Sequence, residues 1–245
     1  MIQIFSLGKQ FQRRPVLAGL DLQVRPGELV VVQGANGAGK TTLIRILSTL
    51  TRPTSGDFTV GGISGVSDPE LVRCQIGVML HHPMVYGDLS AAENLRFQAA
   101  LSGRKDFGAQ ISGRLVEVGL DPANTRPVRN YSRGMQQRLS IARALLCDPA
   151  VLLLDEPFTG LDALNQDRFI DLLVRLRESG KTILATDHDP GRAVRIATRI
   201  DYLFQGKICR SFQGDELNPS LLSGRIAEIE RGNAVATTGK EPVSP

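Results

Sequence analysis

A glycine-rich segment in the first quarter of the chain has the composition of a phosphate-binding loop. Residues 34–41 read Gly-Ala-Asn-Gly-Ala-Gly-Lys-Thr and fit the pattern G-x-x-x-x-G-K-[ST], between a β-branched apolar run and a helical pattern. Glycines let backbone N–H groups close around a phosphate, and the start of the helix adds a partial positive charge. We therefore expect Lys40 to reach the β- and γ-phosphates of a nucleotide and the hydroxyl of Thr41 to bind Mg²⁺.

Two adjacent carboxylates end a later apolar run. Residues 151–156 read Val-Leu-Leu-Leu-Asp-Glu. A buried strand of this kind delivers its last side chains to the carboxyl edge of a sheet, where ligands of open α/β folds bind. Asp155 is expected to hold Mg²⁺, and Glu156 to orient and polarise an attacking water. Many strands end in an acid, so this assignment depends on the phosphate loop upstream.

A third segment precedes these carboxylates, and residues 131–138 read Tyr-Ser-Arg-Gly-Met-Gln-Gln-Arg. Together with the two motifs above, it resembles the signature segment of ATP-binding-cassette (ABC) proteins, usually written L-S-G-G-Q. The resemblance extends over about residues 2–210 and includes Thr-Gly-Leu-Asp at 159–162 and Thr-Asp-His-Asp at 186–189. It implies a cassette that binds ATP with Mg²⁺ and hydrolyses it.

The resemblance also assigns roles at matching positions. It implies that Phe11 stacks on adenine, that His188 contacts the γ-phosphate, and that the signature faces a nucleotide held by the opposite subunit of a head-to-tail dimer. Phe11 as a core residue is the alternative. The implied catalytic residues are Glu156, His188 and Lys40; the nucleotide contacts are Phe11, Gly34, Asn36, Gly37, Gly39, Lys40, Thr41, Thr42, Ser132 and Gly134; and the metal contacts are Thr41, Asp155 and His81.

The sequence departs from the family pattern at two places. Arg133 and Met135 replace the usual glycine and glutamine of the signature. The glutamine that the family carries after Ile76–Leu80 is missing, and the chain reads Leu-His-His-Pro there. In the family that glutamine touches Mg²⁺ and the lytic water. Either His81 or His82 is expected to replace it, and the sequence does not choose between them.

Strand and helix patterns alternate around these motifs. Apolar runs at Leu29–Val32, Ala150–Leu154 and Lys181–Thr186 have strand length, whereas residues 88–148 carry amphipathic helical patterns. With the resemblance, this predicts an α/β fold: an ABC-type P-loop NTPase with a RecA-like core, an N-terminal antiparallel β subdomain and an inserted α-helical subdomain. We expect one ABC ATPase domain over residues 1–232, the insertion at about residues 83–148, and a disordered tail over 233–245.

Composition and charge exclude several classes of protein. Of the 245 residues, 42% are hydrophobic and 22% are charged, with a net charge of +4, which excludes a disordered chain and a disulfide-stapled miniprotein. The three cysteines form no paired motif and are expected to be reduced, mostly buried thiols of a cytosolic protein. No run reaches the roughly 20 apolar residues of a membrane helix. If the protein works at a membrane, another chain must therefore supply the span. The resemblance implies that this other chain is an integral membrane subunit, with the present chain peripheral on the cytoplasmic face.

The transported cargo is the least constrained expectation. Residues 81–97, 131–138 and 154–162 resemble the ATP-binding subunits of haem exporters in cytochrome c maturation, which implies haem export through a separate membrane subunit. The alternative is the ATPase of a drug, lipid or polysaccharide exporter, whose signature segments also read S-x-G-M. A soluble cassette acting on DNA or ribosomes usually has tandem cassettes or a long coiled coil. Neither is present, so nucleic acid is not an expected partner.

Overall fold

The computed structural model describes residues 1–103 and 108–238, with side chains described as far as residue 231. The strands are β1 Ile2–Phe11, β2 Arg14–Val24, β3 Leu29–Gln33, β4 Ser55–Val60, β5 Ile63–Ser64, β6 Ile76–Met79, β7 Val151–Asp155, β8 Thr182–Thr186, β9 Arg199–Phe204 and β10 Lys207–Gln213. The α-helices are α1 Lys40–Leu47, α2 Pro69–Gln75, α3 Ala91–Leu101, α4 Gly108–Glu117, α5 Arg133–Leu145, α6 Ala163–Glu178, α7 Pro190–Ile196 and α8 Pro219–Thr238.

The first sheet is antiparallel, with the strand order β2-β1-β4-β5. Along β1 and β2, which pair from Ile2 opposite Val24 to Phe11 opposite Arg14, buried side chains are interspersed with exposed ones. One face of the sheet therefore covers the core and the other meets solvent, as is usual for antiparallel sheets. This sheet is the predicted N-terminal β subdomain.

The second sheet has the order β10-β9-β3-β8-β7-β6 and is parallel except for β10. Every residue of β3, β7 and β8 is buried, because helices or the first sheet cover both faces. Parallel strands end at the same edge. The phosphate loop after β3, Glu156 after β7 and Asp187 after β8 therefore meet at one edge of this sheet.

Two hydrophobic cores lie on opposite faces of the second sheet. Val30 and Val32 point into the core shared with the first sheet and α1. Leu29 and Val31 point into the core shared with the remaining large helices. Successive strand residues face opposite sides, so one five-residue strand contributes to both cores. Packing on both faces therefore fixes the positions of the side chains at the ends of the strands.

Helices α3, α4 and α5 occupy the chain between neighbouring strands β6 and β7, where the sequence predicts an inserted helical subdomain. Ser90 and Glu93 form a capping box at the start of α3, and Ser132 caps α5. Such caps satisfy the free N–H groups of a first helical turn. The predicted α/β fold with an antiparallel sheet and inserted helices is confirmed.

The structure describes residues 233–238 of the tail that is predicted to be disordered, and there the helix α8 continues. Alanines at 234 and 236 in this stretch favour helix, which opposes the effect of its small and polar residues. The rest of the expected tail, residues 239–245, lies outside the described residues.

The cysteine prediction is wrong for two of the three thiols. Cys74 and Cys209 are exposed, and Cys147 is partly buried. Cys209 lies on β10 at the edge of its sheet, where alternate side chains face solvent.

No helix within the described ranges combines the length and apolar composition needed to cross a membrane.

Candidate active site

The loop between β3 and α1 adopts a conformation that requires glycine. Gly39, the N-cap of α1, has a φ of 110°, and a Cβ there would lie 2.8 Å from Cδ2 of Leu17. A Cβ on Gly34 would lie 2.3 Å from the carbonyl oxygen of Leu203. Larger residues are excluded by the backbone and by the neighbouring strands. The loop is therefore free to direct its N–H groups toward a phosphate.

Lys40 lies across this loop. Its Nζ donates hydrogen bonds to the carbonyl oxygens of Gly34 at 2.6 Å and Ala35 at 3.1 Å. Burial lowers the pKa of Lys40, and the nearby carboxylates of Glu156 and Asp155 oppose that shift. The ammonium is thus held next to carboxylates at the loop, where phosphate oxygens can replace the two carbonyls.

Asp155 has the surroundings of a cation ligand. Its Oδ1 accepts hydrogen bonds from the hydroxyls of Thr41 at 3.2 Å and Thr186 at 2.8 Å. Its Oδ2 is buried, and within the described part of the chain it has no hydrogen-bond partner. A buried carboxylate oxygen is costly to leave unpaired. Carboxylate and hydroxyl oxygens suit Mg²⁺, so Asp155 and Thr41 fit that ion.

Glu156 lies between two imidazoles. Nδ1 of His81 is 3.6 Å from Oε2, and Nδ1 of His188 is 3.9 Å from Oε1. The backbone of Glu156 is in the left-handed region at a φ of 47°, and its N–H donates to the hydroxyl of Thr186 at 2.9 Å. Such conformations cost energy and are concentrated at functional sites. The backbone thus turns the carboxylate out of the strand toward the two rings.

The two adjacent histidines, between which the sequence does not choose, have different surroundings. His81 faces Glu156, whereas His82 meets the ring of His81 edge-on, with ring centroids 5.0 Å apart, and is exposed to solvent. The strand β6 ends two residues earlier, which aims His81 along the same sheet edge as Glu156. His81 therefore lies on the Glu156 side of this segment, and its replacement of the glutamine of the family and its contact with a metal stay predictions.

Phe11 is exposed, with 49% of its surface accessible, which contradicts the alternative of a core residue. It ends β1, and Nζ of Lys9 lies 4.9 Å from its ring centroid. An exposed aromatic face is available for stacking. Its adenine contact stays a prediction. The nucleotide contacts of Asn36 and Gly37 in the phosphate loop and of Thr42 in the first turn of α1 also stay predictions.

The signature lies on the start of α5. Ser132 is the N-cap, and its hydroxyl accepts a hydrogen bond from the N–H of Met135 at 3.3 Å. In the described residues, no hydrogen bond or ion pair joins Ser132 or Gly134 to the phosphate loop. The buried side chain of Gln137 instead ties α5 to the carbonyl of Pro157, at 3.0 Å, beside Glu156.

Sequence reasoning missed Thr186 as part of the site. Its hydroxyl donates to Asp155 and accepts from the N–H of Glu156, so it joins both carboxylate residues. Asp187, which follows it, is buried, and was also not singled out. The available signal was a polar pair at the end of an apolar strand, the same pattern that identified Asp155 and Glu156.

Comparison with known proteins agrees with this geometry. A family model described as ABC transporter matches residues 17–159. A daunorubicin resistance ATP-binding protein of Streptomyces coeruleorubidus is 36% identical over 232 residues, covering 94% of this chain and 73% of that protein. A glutamine transport ATP-binding protein of Escherichia coli is 33% identical over 236 residues, covering 94% of this chain and 98% of that protein.

A solved structure, a dimeric bacterial ABC transporter cassette, matches with a TM-score of 0.80 and 29% identity over 87% of this chain and 98% of its own. The same cassette bound to ADP and Pi after hydrolysis matches with a TM-score of 0.79, 28% identity and the same coverage. The phosphate loop, the strand-end carboxylates and these matches lead to one conclusion. The chain belongs to the ABC transporter family and is an ATP-binding ATPase domain of that family.

Proposed function

We propose that this ATPase domain drives export through a separate membrane subunit. The observation that carries the proposal is the contact of Thr41 Oγ1 with Asp155 Oδ1, 3.2 Å, which joins the phosphate loop to the strand ending in Glu156. Groups for phosphate, cation and water thus meet at one sheet edge. Chemical energy released there is available to move whatever is attached to the domain.

Lys40 binds the phosphates in this proposal. Its ammonium exchanges the carbonyl oxygens of Gly34 and Ala35 for oxygens of the β- and γ-phosphates. Thr41 and Asp155 hold Mg²⁺, which neutralises phosphate charge when bound. The exposed ring of Phe11 stacks on adenine, while Asn36, Gly37, Gly39 and Thr42 line the phosphate end.

Glu156 orients the water that attacks the γ-phosphate. The water oxygen bonds to the γ-phosphorus as the bond to the β–γ bridging oxygen breaks, and Glu156 accepts the proton of the water. His188 contacts the γ-phosphate, and His81 takes the place of the glutamine of the family beside the water. The 3.6 Å and 3.9 Å separations of these rings from the carboxylate support this arrangement.

A second copy of the chain completes each site. Ser132 and Gly134 lie at the start of α5, where the N–H groups of a first turn have no partner within the helix, and the positive end of this 13-residue helix suits a phosphate. Because one chain leaves them apart from its own phosphate loop, they are available to cap the nucleotide of a partner. The dimeric state of the related cassette supports this homodimer.

An integral membrane subunit docks, in this proposal, on a groove of about 500 Å³ between the core and the inserted helices. The groove displays the exposed side chains of Leu50 and Leu101. Residues 81–84 run from Glu156 to this groove, where the carbonyl of Met84 accepts a hydrogen bond from Arg143 at 2.6 Å. Nucleotide state is thereby relayed to a subunit that holds the domain at the cytoplasmic face.

Haem is the cargo that the segments around His81 and Glu156 favour, through their likeness to haem-export ATPases of cytochrome c maturation. Drug, lipid or polysaccharide export is the second candidate, and the similarity to a daunorubicin resistance protein favours it. In this proposal the membrane subunit binds the cargo, so the two candidates are distinguished by the phenotype of a deletion strain. A deletion strain lacking covalent haem in its c-type cytochromes supports the first candidate. Normal cytochromes together with a new drug sensitivity support the second candidate. A deletion strain that shows neither phenotype would contradict both candidates.

The ATPase mechanism is tested by Glu156→Gln. The amide keeps the shape of the side chain but accepts no proton, so we expect retained MgATP binding and a loss of turnover of at least about a hundredfold. ATP should then hold the chain as a dimer, measured by light scattering.

The matched control is Glu178→Gln, an exposed acid at the end of α6. It should hydrolyse ATP at the wild-type rate. Wild-type turnover in Glu156→Gln would remove Glu156 from its role, and a monomer at saturating ATP would contradict the shared site.

A further inference from the structure

A buried carboxylate that the proposed mechanism does not use lies next to His188. Asp187 follows β8 and is only 2% exposed. Its negative charge acts on Lys40, together with those of Asp155 and Glu156, and opposes the fall in the pKa of that lysine. A buried carboxylate is costly unless it is paired, and this one is near enough to Lys40, the residue proposed to bind the phosphates, to act on its charge.

Arg192 supplies the pairing. Its Nε donates to Asp187 Oδ2 at 3.0 Å and its Nη2 donates to Oδ1 at 2.7 Å, a two-pronged contact that only a guanidinium makes. These hydrogen bonds hold the pKa of Arg192 above its ordinary value. Its Nη1 also donates to Asp189 Oδ2 at 3.1 Å. One side chain therefore binds the carboxylates on both sides of His188.

The backbone of the same loop closes the network. The N–H of Asp189 donates to Asp187 Oδ1, and the N–H of Arg192 donates to Asp189 Oδ1, each at 2.9 Å. The side chain of His188 is 60% exposed and lies 3.9 Å from both Asp187 and Glu156. Packing does not hold this ring, so the hydrogen-bonded loop beneath it sets its position.

Arg192 also contacts the segment that carries Glu156. Its guanidinium carbon lies 5.5 Å from the ring centroid of Phe158, a buried side chain two residues after Glu156. A guanidinium over an aromatic face is attracted to it, more strongly when shielded from water. The residue thus touches both loops whose side chains face the proposed γ-phosphate position.

We infer that Arg192 is a positioning residue of the ATPase site, which neutralises Asp187 and holds the His188 and Glu156 loops in one arrangement. The inference rests on the roles proposed for those two residues. Without Arg192, the unpaired carboxylate of Asp187 repels the triphosphate beside Lys40, so nucleotide binding weakens. The loosened loop also lowers turnover. Removing the charge of Asp187 as well corrects the first effect.

The experiment compares Arg192→Met, Arg195→Met and the double variant Asp187→Asn/Arg192→Met. Arg195 lies on the same helix, α7, and pairs with exposed Asp167 at 2.9 Å, so it is a matched control. We measure the Kd of a fluorescent ATP analogue, KM and kcat for MgATP, and Tm. Arg192→Met should raise Kd and KM at least about tenfold and lower kcat. Arg195→Met should change each by less than about twofold.

The double variant should bring Kd to within about threefold of the wild-type value, because the coupled charges are removed together. Arg192→Lys should rescue binding more than kcat, since an ammonium neutralises charge but lacks the fork. Equal Kd and KM in the Arg192→Met and Arg195→Met variants would overturn the inference, whatever the Tm. So would a double variant that binds no more tightly than Arg192→Met. Wild-type turnover in Glu156→Gln would instead contradict the proposed mechanism, and it would leave the binding comparison unaffected.

Discussion

Asp155 and Glu156 are adjacent in the chain but have different surroundings. Asp155 is fully buried at the end of β7, and hydroxyls of Thr41 and Thr186 donate to one of its oxygens. Glu156 is turned out by a positive φ and lies between imidazoles. Environment separates the roles of neighbouring acids. The first therefore suits a cation and the second suits a water.

At the same scale, His81 and His82 are expected to differ in their effect on turnover. His81 faces Glu156 and His82 is exposed. We expect His81→Ala to lower kcat at least about tenfold, because a polar partner of the lytic water is lost, and His81→Gln to restore much of it. Steady-state ATP hydrolysis by the purified variants measures this.

His82→Ala is the matched control for this comparison and should stay within about twofold of wild type. Equal losses in the two alanine variants would contradict the assignment of His81 to the site.

At the scale of elements, the ends of β7 and β8 act as one unit. The buried hydroxyl of Thr186 on β8 donates to Asp155 and accepts from the N–H of Glu156, both beside β7. Backbone pairing fixes the register of these strands, with Asp155 opposite Thr186. A single hydroxyl therefore holds the strained turn at Glu156 and the orientation of Asp155.

Thr186→Val should destabilise the fold by about 1–3 kcal/mol, because the N–H of Glu156 loses its partner and Oδ1 of Asp155 keeps only the hydroxyl of Thr41, while the shape of the side chain is kept. It should also lower ATPase activity, since the turn at Glu156 loses its hydrogen bond. Denaturant unfolding and ATP hydrolysis measure the two effects.

Thr59→Val is the matched control for the same chemical change. The hydroxyl of Thr59 on β4 is buried and has no hydrogen-bond partner within the described residues. Its removal should be neutral or stabilising. If Thr59→Val lost as much stability as Thr186→Val, the hydrogen bonds of the Thr186 hydroxyl would not account for the loss in Thr186→Val.

At the scale of the whole molecule, residues 81–84 connect the sheet edge at Glu156 with the groove proposed for the membrane subunit. His81 contacts Glu156, and three residues later the carbonyl of Met84 accepts from Arg143 in the groove wall. A change at the nucleotide is thus adjacent to a change at the surface proposed for the membrane subunit. The segment between them is short enough to transmit a shift directly.

Leu101→Glu is expected to release the chain from the membrane fraction of its own host. Leu101 is 67% exposed in the groove, and a charge there should oppose burial against an apolar partner. Fractionation, followed by detergent extraction of the complex with an integral membrane protein, measures the bound share. Purified Leu101→Glu should still hydrolyse ATP.

Val116→Glu, 64% exposed on α4 and outside the groove, is the control and should leave the bound share unchanged. Equal release by both variants would contradict docking at the groove.

The parts of the protein that depend on neighbouring residues can be predicted from the amino-acid sequence. The glycines of the phosphate loop, the apolar runs of β3, β7 and β8 and the cap of α5 at Ser132 are local requirements of backbone and packing. They are therefore readable from spacing alone. The elements β9, β10 and α8 are not predicted by the sequence analysis. Strand β9 pairs with β3 and β10, and α8 packs against α7, so each is stabilised by contacts with other elements.

Which side chains meet across the site depends on how the distant segments pack. The choice of His81 over His82, the bonds of Thr186 to Asp155 and Glu156, and the proximity of Arg192 to Phe158 join different elements of the chain. Parallel strands bring such residues to one edge only after the whole sheet has assembled. Their distances are consequently set by strand order and register, which no local pattern contains.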